Sequence, residues 1–167
     1  MASLFPLIIY LFMSKASTLI LGLGNPILTD DRVGIEVGKK VFEACVGEGV
    51  DFLEASAGGL VLLDVVCGYE KVIVIDAIQT GTEIGTLHTF KADDFVASMR
   101  LASVHGVDFF TALGTGRTLG MKVPGDIRIY AVEINDPFTF SEQMTPDVEK
   151  AVPGIVKEIL KREFGRE

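Results

Sequence analysis

Two uniformly apolar runs constrain the fold of this chain more than any other feature of its sequence. Residues 18–23 read TLILGL and residues 72–75, after Lys71, read VIVI, and neither run alternates polar with apolar side chains. Each is therefore predicted to form a strand that is buried on both faces. Strands of this kind occur in parallel sheets covered by helices on both sides, so the chain is predicted to be an α/β protein.

Helical and strand-like patterns alternate along the rest of the chain. Residues 32–45 repeat valine at every fourth position, and Gly34 and Gly38 form an adjacent stripe that lets this helix lie close to a sheet. The strand predicted at 86–90 follows a short connection without a helix, which indicates an antiparallel or edge position. Further strands are predicted at 52–55 and 127–132, and further helices at 60–66, 107–119 and 145–162, the last with a kink at Pro153.

Composition and charge limit the class of protein. With 167 residues and 49% hydrophobic content, the chain is long enough for one domain with a real core. The elements predict a single three-layer α/β/α domain over residues 1–167, with a twisted, mostly parallel sheet of about five strands and helices on both faces. A net charge of −8 argues against a nucleic-acid partner. Cys45 and Cys67 form no CxxC motif, and free thiols in a reducing cytoplasm are expected.

The N-terminal segment, residues 1–16, is apolar without resembling a membrane anchor. Its apolar run, LFPLIIYLFM at residues 4–13, is too short to span a bilayer. Basic residues do not precede the run, as they would in a signal peptide. We expect residues 1–12 to be an over-long gene start or an extra packed segment, with Met13 as an alternative start.

Three separated polar residues are the strongest candidates for function. Asp31 lies at a loop-to-helix start after the first strand, Asp76 directly follows the apolar run 71–75, and His105 lies at another loop-to-helix start. If the strands are parallel neighbours, all three side chains reach one crevice at the carboxyl edge of the sheet. Two carboxylates and an imidazole there predict a site for a divalent metal with an open coordination position.

Each candidate also has a structural interpretation. Asp30 and Asp31 precede a helix and can cap it, as can Thr29, so at least one acid has no required structural task. Asp76 is costly to bury without a partner or a metal, which favours function. A lone histidine such as His105 gains weight only from carboxylates nearby. His88, in the middle of a predicted strand, is given no role.

Other enzyme motifs are incomplete or missing. The Gly22-x-Gly24 turn lacks the third glycine of a dinucleotide-binding fingerprint, because Ile27 occupies that position. The sequence contains neither Gly-x-Ser-x-Gly nor HExxH. A hydrolase built on this chain would therefore depend on carboxylates, on its own metal, or on a metal supplied by the substrate.

Several of these segments together resemble one known family. They are GLGNPILTDDRVG at 22–34, GGL at 58–60, GYEKVIVIDAI at 68–78, SVH at 103–105 and TPDV at 145–148. In this order, over residues 17–160, the chain resembles the hydrogenase maturation endopeptidases. The resemblance implies a twisted α/β sheet sandwiched by helices. It also implies a protease that removes the C-terminal extension of a [NiFe] hydrogenase large-subunit precursor after nickel insertion.

The resemblance also implies roles for individual residues. The two acids and the histidine that contact metal in the family correspond to Asp31, Asp76 and His105. We expect nickel to be presented by the precursor, with zinc or another divalent ion able to substitute, and Asp31 or Asp76 to serve as the catalytic base. Arg32 replaces a glycine usual in the family, and residues 54–57 read EASA where many members have Asp-Gly-Gly. Both departures bear on which precursor is processed.

Two other functions remain open from the sequence. GLGNP also occurs in peptidyl-tRNA hydrolases, but their Tyr and Arg-His-Asn triplet is missing here, and the net charge of −8 disfavours tRNA. A nickel-sensing escort that holds the precursor without cutting it would need the same residues as the protease.

Overall fold

A computed structural model describes residues 16–56, 60–91 and 104–166, without the side chains of residues 60, 104–108 and 110. The prediction for the apolar N-terminal run falls outside these ranges. The described strands are β1 Thr18–Leu23, β2 Val50–Ala55, β3 Lys71–Ile78, β4 Leu87–Lys91 and β5 Asp126–Glu133. They form a sheet in the order β2-β1-β3-β5-β4, in which every pairing is parallel except that of β4 with β5. The predicted α/β class and the antiparallel edge position of β4 are confirmed.

Four described helices cover the two faces of this sheet. They are α1 Val33–Ala44, α2 Leu60–Val66, α3 Val104–Thr118 and α4 Pro146–Phe164. One hydrophobic cluster joins α1 and α4 to the sheet, and a second joins α2 and α3 to its other face. Alternate residues of β3 point into the two clusters, as the uniformly apolar run predicts. The three-layer arrangement with helices on both faces is therefore confirmed.

The carboxyl end of β3 differs from the prediction. The sequence suggested a strand over 71–75 ended by Asp76, but β3 continues through Asp76 to Ile78. The reason is its neighbour β5, which pairs with β3 as far as Ile78 opposite Glu133. The pairing of β3 with β1 stops earlier, at Ile75 opposite Gly22. Asp76 thus lies inside the strand but beyond the end of its ladder with β1.

The amino end of α1 lies directly against the carboxyl ends of β1 and β3. A Cβ atom on Gly34 would be 2.3 Å from the carbonyl oxygen of Leu23 and 2.4 Å from that of Ile75. Both contacts are with backbone, so this close approach requires glycine. The glycine stripe predicted to bring the helix close to the sheet is confirmed, and the loop before α1 is held at the same edge.

Helix α4 begins where the sequence predicts, with Thr145 as the N-cap residue and Pro146 in the first turn, but the hydroxyl cap expected of Thr145 is wrong, because this hydroxyl donates to Asp30 instead. The helix continues through Pro153 to Phe164, and the kink expected at Pro153 stays a prediction. Its buried stripe packs on the α1 face of the sheet and consists of Val148, Val152, Ile155 and Ile159.

Neither Cys45 nor Cys67 forms a disulfide bond, as expected. Burial raises the pKa of the Cys45 thiol above its ordinary value, so the group is held in its protonated form. In the described portions of the chain, none of the helices combines the length and the apolar character needed to cross a bilayer.

Candidate functional site

The adjacent carboxylates of Asp30 and Asp31 have different environments. Asp30 is fully buried, and its oxygens accept hydrogen bonds from the backbone N–H groups of Asn135, Asp136 and Thr145 at 3.2, 2.9 and 2.7 Å. The Thr145 hydroxyl adds a further contact at 2.9 Å. Asp30 therefore fastens residues 134–145, the loop between β5 and α4, to the loop between β1 and α1.

The helix-capping role expected for this segment is wrong for two of its three members. Asp30 bonds the 134–145 loop instead, and the Thr29 hydroxyl donates to the carbonyl of Thr139 at 2.6 Å. The N-cap residue of α1 is Arg32, whose side chain makes no capping hydrogen bond. The side chains of Thr29 and Asp30, which the local pattern predicted to cap the helix, form hydrogen bonds with residues distant in sequence instead.

Asp31 is held at the carboxyl end of β1 and is only partly buried. Its Oδ2 accepts a hydrogen bond from the backbone N–H of Asn25 at 2.8 Å. Gly24, the first residue after β1, has φ of 142°, and a Cβ there would lie 2.0 Å from the carbonyl oxygen of Asp31. The turn thus requires glycine and keeps the Asp31 backbone against the end of the strand.

Asp76 is almost fully buried, with 2% of its surface exposed. Its Oδ1 accepts a hydrogen bond from the backbone N–H of Ala77 at 2.8 Å, which orients the carboxylate. Val72 and Val74 belong to the cluster under α2 and α3. Because side chains alternate along a strand, Asp76 points to that same face of the sheet.

His105 is the second residue of α3, and its side chain lies outside the described part of the structure. Helix α3 packs on the face to which Asp76 points, through Phe109, Ala112 and Leu113. Since α3 leads to the amino end of parallel β5, its own amino end lies toward the carboxyl edge of the sheet. The 15 residues of α3 span about 22 Å and the 8 residues of β5 span about 26 Å, so the helix is nearly as long as the strand.

The structure therefore places the two acids and the helix that carries the histidine at one edge of the sheet. The side chain of His105 is not among those described. Among the described side chains, no three that could bind a metal ion together are found. Whether Asp31, Asp76 and His105 surround one ion stays a prediction. Carboxylate oxygens and imidazole nitrogen are suitable ligands for Ni²⁺ or Zn²⁺.

Glu133 and the half-buried His88 form a side-chain contact that the sequence reasoning missed. Glu133 lies at the carboxyl end of β5 with 1% of its surface exposed, and its Oε2 is 3.3 Å from Nε2 of His88. His88, to which the sequence analysis gave no role, also contacts the Thr82 hydroxyl at 3.0 Å. Glu133 directly follows the predicted strand 127–132, as Asp76 follows the predicted strand 71–75, and this shared position could have indicated it.

Glu133 also holds the loop between β3 and β4, residues 79–86. Its carboxylate accepts hydrogen bonds from the backbone N–H groups of Thr80 and Gly81, each at 2.8 Å, and from the Thr80 hydroxyl at 2.7 Å. Burial acts to raise the pKa of the Glu133 carboxyl, but these hydrogen bonds together outweigh burial and lower the pKa. The loop that follows Asp76 is thus fastened to the end of the neighbouring strand.

Arg32, the residue that departs from the family pattern, points toward the 134–145 loop. Its guanidinium forms an ion pair with Glu36 at 3.0 Å and donates to the carbonyl oxygen of Glu142. The Arg32 guanidinium is therefore engaged with α1 and with that loop.

Comparison with known proteins decides the family. The sequence model of HycI, described as a hydrogenase maturation protease, matches residues 16–162. The chain belongs to the hydrogenase maturation protease family. The resemblance inferred from the sequence motifs is thereby confirmed, and the match contains the three candidate residues Asp31, Asp76 and His105.

Proteins similar in sequence to this chain come from bacteria and archaea. A putative hydrogenase maturation protease of Methanocaldococcus jannaschii is 29% identical over 155 residues, which are 89% of this chain and all of that protein. The hydrogenase expression/formation protein HupD of Rhodobacter capsulatus is 31% identical over 105 residues, or 61% of this chain. That match spans half the length of HupD.

Solved structures show the same fold. The hydrogenase maturating endopeptidase HybD from E. coli superposes with a TM-score of 0.72 at 24% identity, covering 89% of this chain and 93% of HybD. The [NiFe] hydrogenase maturation protease HybD from Thermococcus kodakarensis gives a TM-score of 0.70 at 22% identity, covering 87% and 97%. The five-stranded sheet with helices on both faces is thus the architecture of these proteases.

Proposed function

We propose that this protein is an endopeptidase that removes the C-terminal extension of a [NiFe] hydrogenase large-subunit precursor, after nickel has been inserted. Family membership supports the peptidase activity, and the names of the relatives point to a hydrogenase as the client. The observation that carries the proposal is the position of Asp31 and Asp76. Asp31 lies in the loop between β1 and α1 and Asp76 lies in β3, and the carboxylate of each accepts a hydrogen bond from a backbone N–H group.

In this proposal nickel belongs to the substrate. Asp31, Asp76 and His105 contact the ion already seated in the precursor, so that binding depends on prior insertion. A site with two carboxylates and one imidazole leaves positions open for the precursor's own ligands. Burial of Asp76 strengthens its attraction for a cation because the local dielectric constant is low.

Hydrolysis then requires a base and a bound water. Asp31 or Asp76 takes a proton from the water as its oxygen attacks the scissile carbonyl carbon, and the proton passes to the departing amine when the C–N bond breaks. The 79–86 loop, held by Glu133, begins three residues after Asp76, where β3 ends. We place this reaction in the cytoplasm, where the thiols of Cys45 and Cys67 would stay reduced.

The test uses every [NiFe] hydrogenase large-subunit precursor that the source organism encodes. Nickel-loaded and nickel-free precursors are incubated with the protein, and the intact mass of the large subunit is measured. We expect loss of a C-terminal peptide only from the loaded form, and no loss with Asp76→Asn or His105→Ala. Asp126→Asn is the matched control, because this aspartate lies at the opposite end of β5 and is paired with Arg128.

Two results would contradict the proposal. Processing at the normal rate by both site variants would remove the role given to these residues. Stable binding of the loaded precursor by the wild-type protein, without any cleavage, would instead identify a non-catalytic nickel-sensing escort.

A further inference from the structure

An apolar ribbon lies on the surface beside Asp31. Leu28, in the loop between β1 and α1, forms an isolated antiparallel bridge with Phe140 in the 134–145 loop. Backbone hydrogen bonds on either side of the bridge join the two loops. Thr29 N–H donates to the Thr139 carbonyl at 2.9 Å, and Ser141 N–H donates to the carbonyl of residue 27 at 3.1 Å.

Large apolar side chains on this ribbon face solvent. Phe138 is 78% exposed, Phe140 is 77% exposed and Ile27 is 54% exposed. Single exposed apolar residues are normal, but three on two bonded loops are not scattered. Together they expose on the order of 400 Å² of surface on two loops that are joined by backbone hydrogen bonds. We call Ile27, Phe138 and Phe140 the apolar ribbon.

Hydrogen bonds fix the backbone that carries these exposed side chains. Asp136 Oδ1 accepts hydrogen bonds from the N–H groups of Phe138 and Thr139 at 3.0 and 2.9 Å. Bonds from Thr139 and Phe138 also lower the pKa of the Asp136 carboxyl, so the charge that holds this turn is retained. The buried carboxylate of Asp30 fixes the base of the same loop. A surface that is already ordered loses little entropy on binding.

The ribbon is continuous with the candidate site. Ile27 lies between Asn25 and Asp31, whose backbone N–H and carboxylate are bonded to each other at 2.8 Å. A protein that brings its metal to Asp31 would therefore meet the ribbon at the same time. A second copy of this chain is a poorer occupant, because each copy has a net charge of −8. Each partner in a stable interface buries about 800 Å², and the exposed area of the ribbon is about half of that. The ribbon alone is therefore too small for a stable dimer.

We propose that the apolar ribbon is the docking surface for the folded large-subunit precursor, which presents a complementary apolar patch next to its metal-bearing C-terminal region. This inference rests on the proposed function and adds to it the surface that selects the client. Contact at the ribbon contributes to binding, whereas the acids and the histidine act on the metal and on the peptide bond.

The test compares the double variant Phe138→Ser/Phe140→Ser with Leu119→Ser. Leu119 is 70% exposed and follows α3 at the opposite edge of the sheet, so it controls for loss of any exposed apolar side chain. Steady-state cleavage of nickel-loaded precursor is measured. Removing two aromatic contacts is expected to raise KM by at least about tenfold without changing kcat, and Leu119→Ser should leave both unchanged. Circular dichroism verifies the fold, and Phe138→Ser alone serves if the double variant unfolds.

The outcomes separate this inference from the proposed function. If the wild-type protein does not cleave, the function fails and the ribbon is tested by the dissociation constant for loaded precursor, which should rise by the same factor. An unchanged KM or dissociation constant in the double variant would overturn the docking proposal. So would a dimer, seen by sedimentation, that the double variant converts to a monomer while KM stays the same.

Discussion

Replacing Asp30 with asparagine should destabilise the protein severely, although the change is nearly isosteric. Oδ2 of Asp30 accepts from the N–H groups of Asn135 and Asp136, and Oδ1 accepts from the N–H group of Thr145. An asparagine side chain has one acceptor oxygen and one NH₂ group. In either orientation the NH₂ group faces a backbone N–H donor in a fully buried position.

The magnitude follows from the bonds that are lost. Hydrogen bonds to a charged group contribute about 1.5–3 kcal/mol each, and a buried donor without an acceptor costs about 1–3 kcal/mol. With one side of the carboxylate lost and the other side weakened, we expect Asp30→Asn to lower the free energy of unfolding by about 3 kcal/mol. A domain of this size should then lose about 6–12 °C in Tm.

Asp31→Asn is the control, because it makes the same chemical change one residue along. Its carbonyl oxygen can still accept from the N–H group of Asn25, and the side chain is partly exposed to water. We expect a loss of no more than about 1 kcal/mol. Urea unfolding followed by circular dichroism measures both variants, and hydrogen exchange should speed up in the 134–145 loop of Asp30→Asn. A loss below about 1 kcal/mol in Asp30→Asn, or equal losses in the two variants, would refute the reasoning.

Three further predictions follow from the same geometry. Gly34→Ala should lower the free energy of unfolding in urea by about 2 kcal/mol or more, because its Cβ would meet backbone carbonyls of β1 and β3. Gly114 has open space around it, so Gly114→Ala should leave this free energy unchanged or raise it. The pKa of Glu133 is lower in the folded protein than its ordinary value of 4.5. The ionised carboxylate therefore stabilises the protein at pH values above 4.5, and this contribution is lost as the pH falls below 4.5 toward the folded-state pKa. Glu133→Gln, which leaves His88 without its anionic partner, should therefore show a shallower loss of unfolding free energy between neutral and acid pH, and an unchanged slope would contradict the assignment. Removing nickel from the precursor with a chelator before mixing should stop cleavage, and restoring nickel should restore it, as read by intact mass.

Local patterns predicted most of the architecture. The apolar runs of β1 and β3, the valine stripe of α1 and the Thr145-Pro146 start of α4 were all found in the structure at their expected positions. Such elements are specified by periodicity over a few residues, which neighbours in sequence are enough to determine. The edge position of β4 also followed from a local feature, its short connection to β3.

Boundaries and partnerships depended on residues far apart in the chain. β3 extends past Asp76 because β5 pairs with it there, and nothing within 71–78 indicates this. Asp30 and Asp31 are chemically identical neighbours, yet Asp30 is bonded to residues more than a hundred positions away and Asp31 accepts a hydrogen bond from nearby Asn25. The Glu133–His88 pair likewise joins two strands that only the folded sheet brings together.

By itself, the sequence determined that this chain forms a helix-covered, mostly parallel sheet of the maturation protease family, with one acid in the loop after its first strand and another near the carboxyl end of a central strand. Tertiary structure alone decided which acid binds a distant loop, which remains at the surface beside the apolar ribbon, and how far each strand runs. The physical reason is the range of the interactions. Helix and strand periodicity is a property of short segments, whereas hydrogen-bond partners and burial arise only when distant segments meet.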